Sequence, residues 1–301
     1  MISLQNDYSE GAHPRILTLL TQTNLEQSAG YGEDAYCLQA AAYIKQHLQA
    51  PQAAIHFVSG GTQSNTVIIK SVLRPHEAVI AAQSGHIAVH ETGAIEATGH
   101  KVITMPVANS GKLTPEAVHA AVSSHTDEHM VKPRMVYISQ TTEIGSVYSV
   151  AELRALRACC DELGLYLHID GARLGAALAA NSELSLAIMA EVADVFYIGG
   201  TKNGALLGEA IVIVNPDLQA DFRYGMKQHG ALLAKGRILG LQFVGLFAEN
   251  VFFECAAHAH EQSMVLAQGL RDLGCGFLTE PQSNQIFPIL PNTVIAALQE
   301  K

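Results

Sequence analysis

Seven short apolar runs punctuate the first two thirds of the chain, at residues 54–58, 78–82, 101–105, 135–139, 166–170, 194–198 and 210–214. Several are apolar at consecutive positions, the pattern of strands covered on both faces. Between them lie segments with helical spacing. Residues 114–123 open with Thr-Pro-Glu, a capping residue followed by Pro at the first helical position. Residues 149–162 carry Glu152 three places after Ser149, the spacing of a capping box. Strands alternating with helices predict βαβ units, hence an α/β fold with a mostly parallel seven-stranded sheet covered by helices.

Past Val214 the pattern changes. A mostly helical stretch runs from about 218 to 273, a strand-like 285–290 follows, and a short helix precedes Lys301. A boundary near Gly240 divides the chain into a large domain, 1–240, and the beginning of a smaller C-terminal α/β domain, 241–301. A chain of 301 residues suits a main domain with an appendage. The N-terminal segment of roughly 20 residues is expected to pack on the small domain.

Apolar residues make up 49% of the chain and charged ones 15%, enough for a sizeable core and against disorder. A net charge of −10 without a basic run argues against nucleic-acid binding. The N-terminus lacks a basic-then-apolar signal, and no apolar run reaches the ~20 residues of a membrane span. The five cysteines are odd in number and form no Cys-x-x-Cys pair, which fits reduced thiols. These features predict a soluble, cytoplasmic protein. His125 and His129 stand four apart without an evident third ligand, so no metal is expected.

Three segments carry chemistry. In Ser59-Gly60-Gly61-Thr62-Gln63-Ser64-Asn65 a strand gives way to two glycines and a helix start, where free N–H groups and the Thr62 hydroxyl suit a phosphate; a plain tight turn is the alternative. In His168-Ile169-Asp170-Gly171-Ala172-Arg173 a carboxylate ends an apolar strand, where it can hold a protonated ring nitrogen or cap the next helix. In Gly199-Gly200-Thr201-Lys202-Asn203-Gly204 a lysine follows another buried strand, placed as a partly buried nucleophile or as a surface lysine in a loop. Asp170 and Lys202 lie about one βαβ unit apart. Phosphate loop, acid and lysine, each at a strand end, suit pyridoxal 5′-phosphate, whose phosphate, ring nitrogen and aldehyde need one partner each.

Beyond these segments, Asn6-Asp7, Tyr31-Gly32-Glu33-Asp34, His86 and Glu91-Thr92-Gly93 complete a pattern that resembles the threonine aldolase/β-eliminating lyase family of fold-type-I pyridoxal-phosphate enzymes. The resemblance implies an aspartate-aminotransferase-like fold and a homodimer or homotetramer. It implies Lys202 as the Schiff-base lysine, Asp170 as partner of the pyridine nitrogen and His86 stacked on the ring. Gly61, Thr62, Gln63 and Thr201 would join them in holding the cofactor. Asn6 and Arg173 would bind substrate, and Lys227 would stand for an arginine that reaches a neighbouring subunit's phosphate.

The implied reaction is carbon–carbon lysis of β-hydroxy-α-amino acids to glycine and an aldehyde. Two departures qualify it. The stretch Thr141-Thr142-Glu143-Ile144-Gly145 has Glu143 where threonine aldolases carry a histidine near the substrate hydroxyl, so Glu143 becomes a candidate base and β-elimination or transamination stays open. The family also runs a few tens of residues further, through a second carboxylate-binding arginine, which leaves a catalytically impaired, truncated paralogue as the remaining alternative.

Overall fold

The computed structural model describes residues 3–300; Met1, Ile2 and Lys301, the chain end weighed above, lie outside them. The seven apolar runs form one sheet: β1 (Ala54–Val58), β2 (Glu77–Ala82), β3 (Val102–Met105), β4 (Lys132–Ser139), β5 (Tyr166–Asp170), β6 (Val195–Gly199) and β7 (Glu209–Ile213). Their order is β1-β7-β6-β5-β4-β2-β3, parallel except that β7 runs antiparallel to both β1 and β6. The mostly parallel seven-stranded sheet is therefore as expected. β4 begins three residues before its apolar run, because the exposed Lys132 still pairs with Glu77.

Consecutive apolar positions are explained by two cores. Along β2, Ala78 and Ile80 face one core while Val79 and Ala81 face the other. β6 and β7 repeat the alternation, with Phe196, Ile198 and Val212 on the first side and Val195, Tyr197 and Ile211 on the second. Each strand thus buries both pleat faces. Among the described residues the α-helices are α1 (Pro14–Gln22), α2 (Ala35–Leu48), α3 (Gly61–Val72), α4 (His86–Val89), α5 (Pro115–Ser123), α6 (Val150–Leu163), α7 (Leu174–Ala180), α8 (Leu186–Val192), α9 (Phe222–Gln228), α10 (Arg237–Phe247), α11 (Val251–Asp272) and α12 (Asn292–Gln299). α2, α5, α6, α8 and α10 cover the first face, α3 and α9 the second. The caps read from the sequence are present: Thr114 accepts from Ala117 N–H, and Ser149 and Glu152 exchange the two bonds of a capping box.

Gly240 lies inside α10, packed on Cys37 of α2, so the chain crosses the expected domain boundary within a helix. α11 continues onto α7, and β8 (Gly276–Phe277) and β9 (Pro288–Ile289) form a small hairpin before α12. Only two residues of the strand-like 285–290 pair as strand. The polar residues just before them are otherwise engaged: Gln282 accepts from Val147 N–H, the Ser283 hydroxyl donates to Gly145 C=O, and Asn284 donates to Asp7. The first two bonds fasten the loop that carries Glu143, and the third holds the N-terminal segment. Among the described residues no single helix is long and apolar enough to cross a membrane.

Candidate active site

The C-terminal ends of β4, β5 and β6, the start of α3 and the start of α4 converge on a cleft of about 250 Å³. Gly61, Thr62, His86, Glu143, Asp170, Arg173, Thr201 and Lys202 all line it, so eight of the expected site residues meet in one place. Ligands of open α/β sheets sit at such strand ends.

Asp170 is buried at the end of β5. Its Oδ1 accepts from Tyr197 Oη and Ala172 N (3.0 Å), and its Oδ2 from Tyr137 Oη (2.6 Å) and Asn65 Nδ2 (3.0 Å). Burial alone pushes a carboxyl up, but these four donors outweigh it and hold Asp170 below its usual range. It is an anion at neutral pH, able to keep a pyridine nitrogen protonated. Tyr137 and Tyr197 are the residues that sequence reasoning missed. Each is a lone phenol flanked by buried apolar residues, a signal that could have found it, since a buried hydroxyl needs a partner.

Lys202 follows β6, with Nζ 5.8 Å from the Tyr8 ring centroid. Burial, helped by the Arg173 charge, lowers its pKa, which favours the nucleophilic amine. Beside it, Glu209 opens β7 and lines the cleft; its carboxylate accepts from Gly200 N–H (2.9 Å) and bonds the Thr201 hydroxyl. Burial raises it to about 8. Nothing in the sequence pattern marked Glu209, because it directly abuts an apolar strand.

The N-cap of α3, Gly60, makes no side-chain cap bond, which leaves the first N–H groups of the helix without that partner, and Gly60, Gly61 and Thr62 line the cleft. Gln63 is not among the lining residues: its carbonyl accepts from the Ser59 N–H and hydroxyl, and its amide donates to His229 C=O. It braces the turn instead. His86 caps the cleft from α4. Its Nδ1 lies 2.8 Å from Glu91 Oε1, and this bond, set against burial, raises the imidazole's pKa. Glu143 Oε1 accepts from His86 N (2.8 Å) and Ser139 Oγ (2.6 Å), and burial raises its pKa.

Arg173 reaches the cleft but is forked onto Asp7, Nε to Oδ2 at 2.7 Å and Nη2 to Oδ1 at 3.0 Å. A bidentate carboxylate is the ligand this guanidinium geometry suits. Asn6, expected to bind substrate, does not line the cleft; its carbonyl accepts from Tyr8 N–H and the Ser9 hydroxyl and shapes the turn that presents Asp7. Lys227 is on α9, outside the cleft, 4.9 Å from the Tyr31 ring centroid.

A doubly covered α/β sheet with acid and lysine at neighbouring strand ends has the organisation of a fold-type-I enzyme, and comparison with known proteins narrows this. Residues 14–292 match the family model described as β-eliminating lyase, and the chain belongs to that family. The low specificity L-threonine aldolase of Pseudomonas aeruginosa is 34% identical over 98% of this chain and 86% of its own. The low specificity L-threonine aldolase of Saccharomyces cerevisiae is 25% identical over 95% and 74%. Among solved structures, Leishmania major threonine aldolase superposes with a TM-score of 0.98 at 49% identity, covering all of this chain and 88% of that one. An aspartate aminotransferase from Thermus thermophilus, 15% identical over 92% and 73%, shares the fold with a TM-score of 0.70.

Proposed function

We propose that this chain is a pyridoxal 5′-phosphate-dependent lyase that cleaves the Cα–Cβ bond of β-hydroxy-α-amino acids, giving glycine and an aldehyde. One observation carries it: Asp170, held anionic by four donors, and Lys202, held toward its neutral form, share one cleft under an uncapped helix start. The donor set fits the cofactor. The α3 N–H groups and Thr62 would take its phosphate, Asp170 its pyridine nitrogen, Lys202 its aldehyde, and His86 would lie against its ring. When bound, the cofactor supplies an electron sink for the pair released at Cα. The threonine aldolase names of its relatives support the substrate class.

The chain's own groups do the rest. Arg173, released from Asp7, binds the substrate carboxylate. Glu143 and His86 line the same cleft and are the candidate acceptors of the β-hydroxyl proton; burial raises the pKa of the first, and the Glu91 bond raises that of the second. Glu143 in place of histidine is also what favours a second reading, β-elimination, in which the same carboxyl donates a proton to the departing β-substituent.

The division into 1–240 and 241–301 belongs to this proposal, with α10 and α11 joining the sheet to the C-terminal hairpin. So do assembly as a homodimer or homotetramer and a cytoplasmic location.

Purified, cofactor-loaded protein should convert threonine or a related β-hydroxy amino acid to glycine and aldehyde. Borohydride should leave the reduced cofactor on the peptide that holds Lys202. Keto acid and ammonia as products select the elimination reading, and trapping on Lys227 or Lys235 overturns the lysine assignment.

A further inference from the structure

Behind the face that Asp170 offers to the cleft lies a chain of buried polar groups, of which the reading above uses only the bonds Asn65–Asp170 and Glu91–His86. Asn65, in the second turn of α3, is fully buried. Its Nδ2 is 2.8 Å from Glu91 Oε1 and 3.0 Å from Asp170 Oδ2; its Oδ1 is 3.0 Å from His168 Nε2. Glu91 Oε1 is also the atom that bonds His86 Nδ1. One amide therefore touches the anchoring acid for the pyridine nitrogen and, through a single carboxylate oxygen, the histidine over the ring.

The chemistry fixes how this amide is turned. Two carboxylates within hydrogen-bond reach of one atom need a donor, and an amide nitrogen has two hydrogens to give. Reversed, the amide would aim its oxygen at two buried anions. Burial lowers His168 to about 4, so the ring is neutral and carries one proton. Its Nδ1 lies 3.3 Å from Val195 C=O and its Nε2 3.0 Å from Asn65 Oδ1, so the shorter contact favours the proton on Nε2, facing the amide oxygen. Glu91 has no other relief: its Oε2 is buried without a partner.

We infer that Asn65 is a positioning residue that couples the proton on His86 to the charge on Asp170, with His168 holding its amide in the donating orientation. The inference rests on the reading of the cleft as a pyridoxal-phosphate site. A donor withdrawn from a carboxylate makes that carboxylate hold a proton more strongly. Without Asn65, the Glu91–His86 pair should keep its proton to higher pH, and Asp170 should compete better for the pyridine proton. The other groups around His86 keep their places: His90 on its own segment, Glu143 at its backbone N–H, and the Asp170 and Lys202 charges.

The test is an NMR titration of histidine in the cofactor-free protein, with His86→Asn to assign the resonance. Asn65→Leu should raise the His86 pKa by roughly 1–2 units, the size of one hydrogen bond to a charged group. The same variant, loaded with cofactor, should show the pH-dependent change in cofactor absorbance displaced. An unchanged His86 pKa in a folded Asn65→Leu protein overturns the coupling.

The unmodified chain provides a second measurement that no folding defect can spoil. Nitrogen shifts should report His168 as the neutral Nε2–H tautomer through pH 5.5. A Nδ1–H tautomer means that Asn65 is not held as a double donor, and the inference fails. Because both histidine readouts use apoprotein, they stand even if the cofactor assignment falls; failure of the cofactor assignment alone shows as no uptake by the unmodified protein.

Discussion

Glu143 is the residue whose chemistry most separates this chain from a histidine-bearing aldolase. Its ordinary pKa makes a carboxyl a weak base at neutral pH. Burial raises that value, while Ser139 and the His86 N–H keep the anion solvated by donors. A base works only when deprotonated, so aldol cleavage should rise with pH through a pKa above 4.5. Glu143→Gln should reduce the rate about tenfold or more and remove that limb of the kcat profile; full rate with an unchanged profile leaves His86 as the base. Glu209 carries a different prediction. Its folded pKa of about 8 exceeds the ordinary 4.5, so the folded state binds its proton more tightly than the unfolded chain. That contribution is complete below pH 4.5 and is lost as pH rises toward 8. In apoprotein, Glu209→Gln should flatten stability against pH over this window, by about 2–3 kcal/mol between its lower edge and neutrality, read from urea midpoints. An unaltered slope means the carboxyl is already ionised beside Lys202. Residues at this scale were legible where a motif marked them, as Lys202, Asp170 and His86 were. Glu209 was not, because no motif marks it, and the bonds of Tyr137 and Tyr197 could not be assigned to Asp170, a partner distant in sequence.

Elements were more legible than residues, since periodicity and caps are local. Ser149 and Glu152 announce α6 by bonds made within three residues, and the doubly buried strands announce themselves by lacking a polar side. Gly240 shows where local reading fails. A glycine amid a change of pattern reads as punctuation. Its purpose is contact: a Cβ there would lie 2.6 Å from both Cys37 N and Cys37 Sγ, so the absent side chain lets α10 cross α2 closely. Gly269, inside α11, has nothing within 4 Å of the same position. The two glycines should respond oppositely to one substitution. Gly240→Ala forces the helices apart and should cost about 1–3 kcal/mol, whereas Gly269→Ala should gain up to about 1 kcal/mol from helix propensity. Thermal unfolding of both variants checks this; equal effects would mean α10 and α2 have room to shift.

At the scale of the whole molecule, the phosphate end of the cleft lacks charge. Arg173 and Lys202 are the lysine and arginine residues that line the cleft; the first is engaged by Asp7 and the second is needed at the aldehyde. A dianion at the start of α3 would then meet only N–H groups and Thr62. Lys227 does not line its own cleft; it lies over Tyr31, which is half-exposed and shares a groove with the exposed Leu38 and with Arg223. Exposed apolar side chains beside an unused cation suit a surface that a second copy covers. On this reading the active unit is at least a homodimer, and each subunit's Lys227 completes the other's phosphate site. Lys227→Ala should weaken cofactor affinity about tenfold or more, the worth of one charge-assisted bond, and Lys227→Arg should retain it. Mixing decides whether the lysine acts across the interface. Lys202→Ala and Lys227→Ala proteins, each poorly active alone, should regain activity when their subunits are exchanged, because one site in the mixed dimer then has both lysines intact. A mixture as inactive as its parts, or a cofactor-loaded monomer that turns over in the ultracentrifuge, would place Lys227 in its own subunit's service and leave the phosphate to the helix alone.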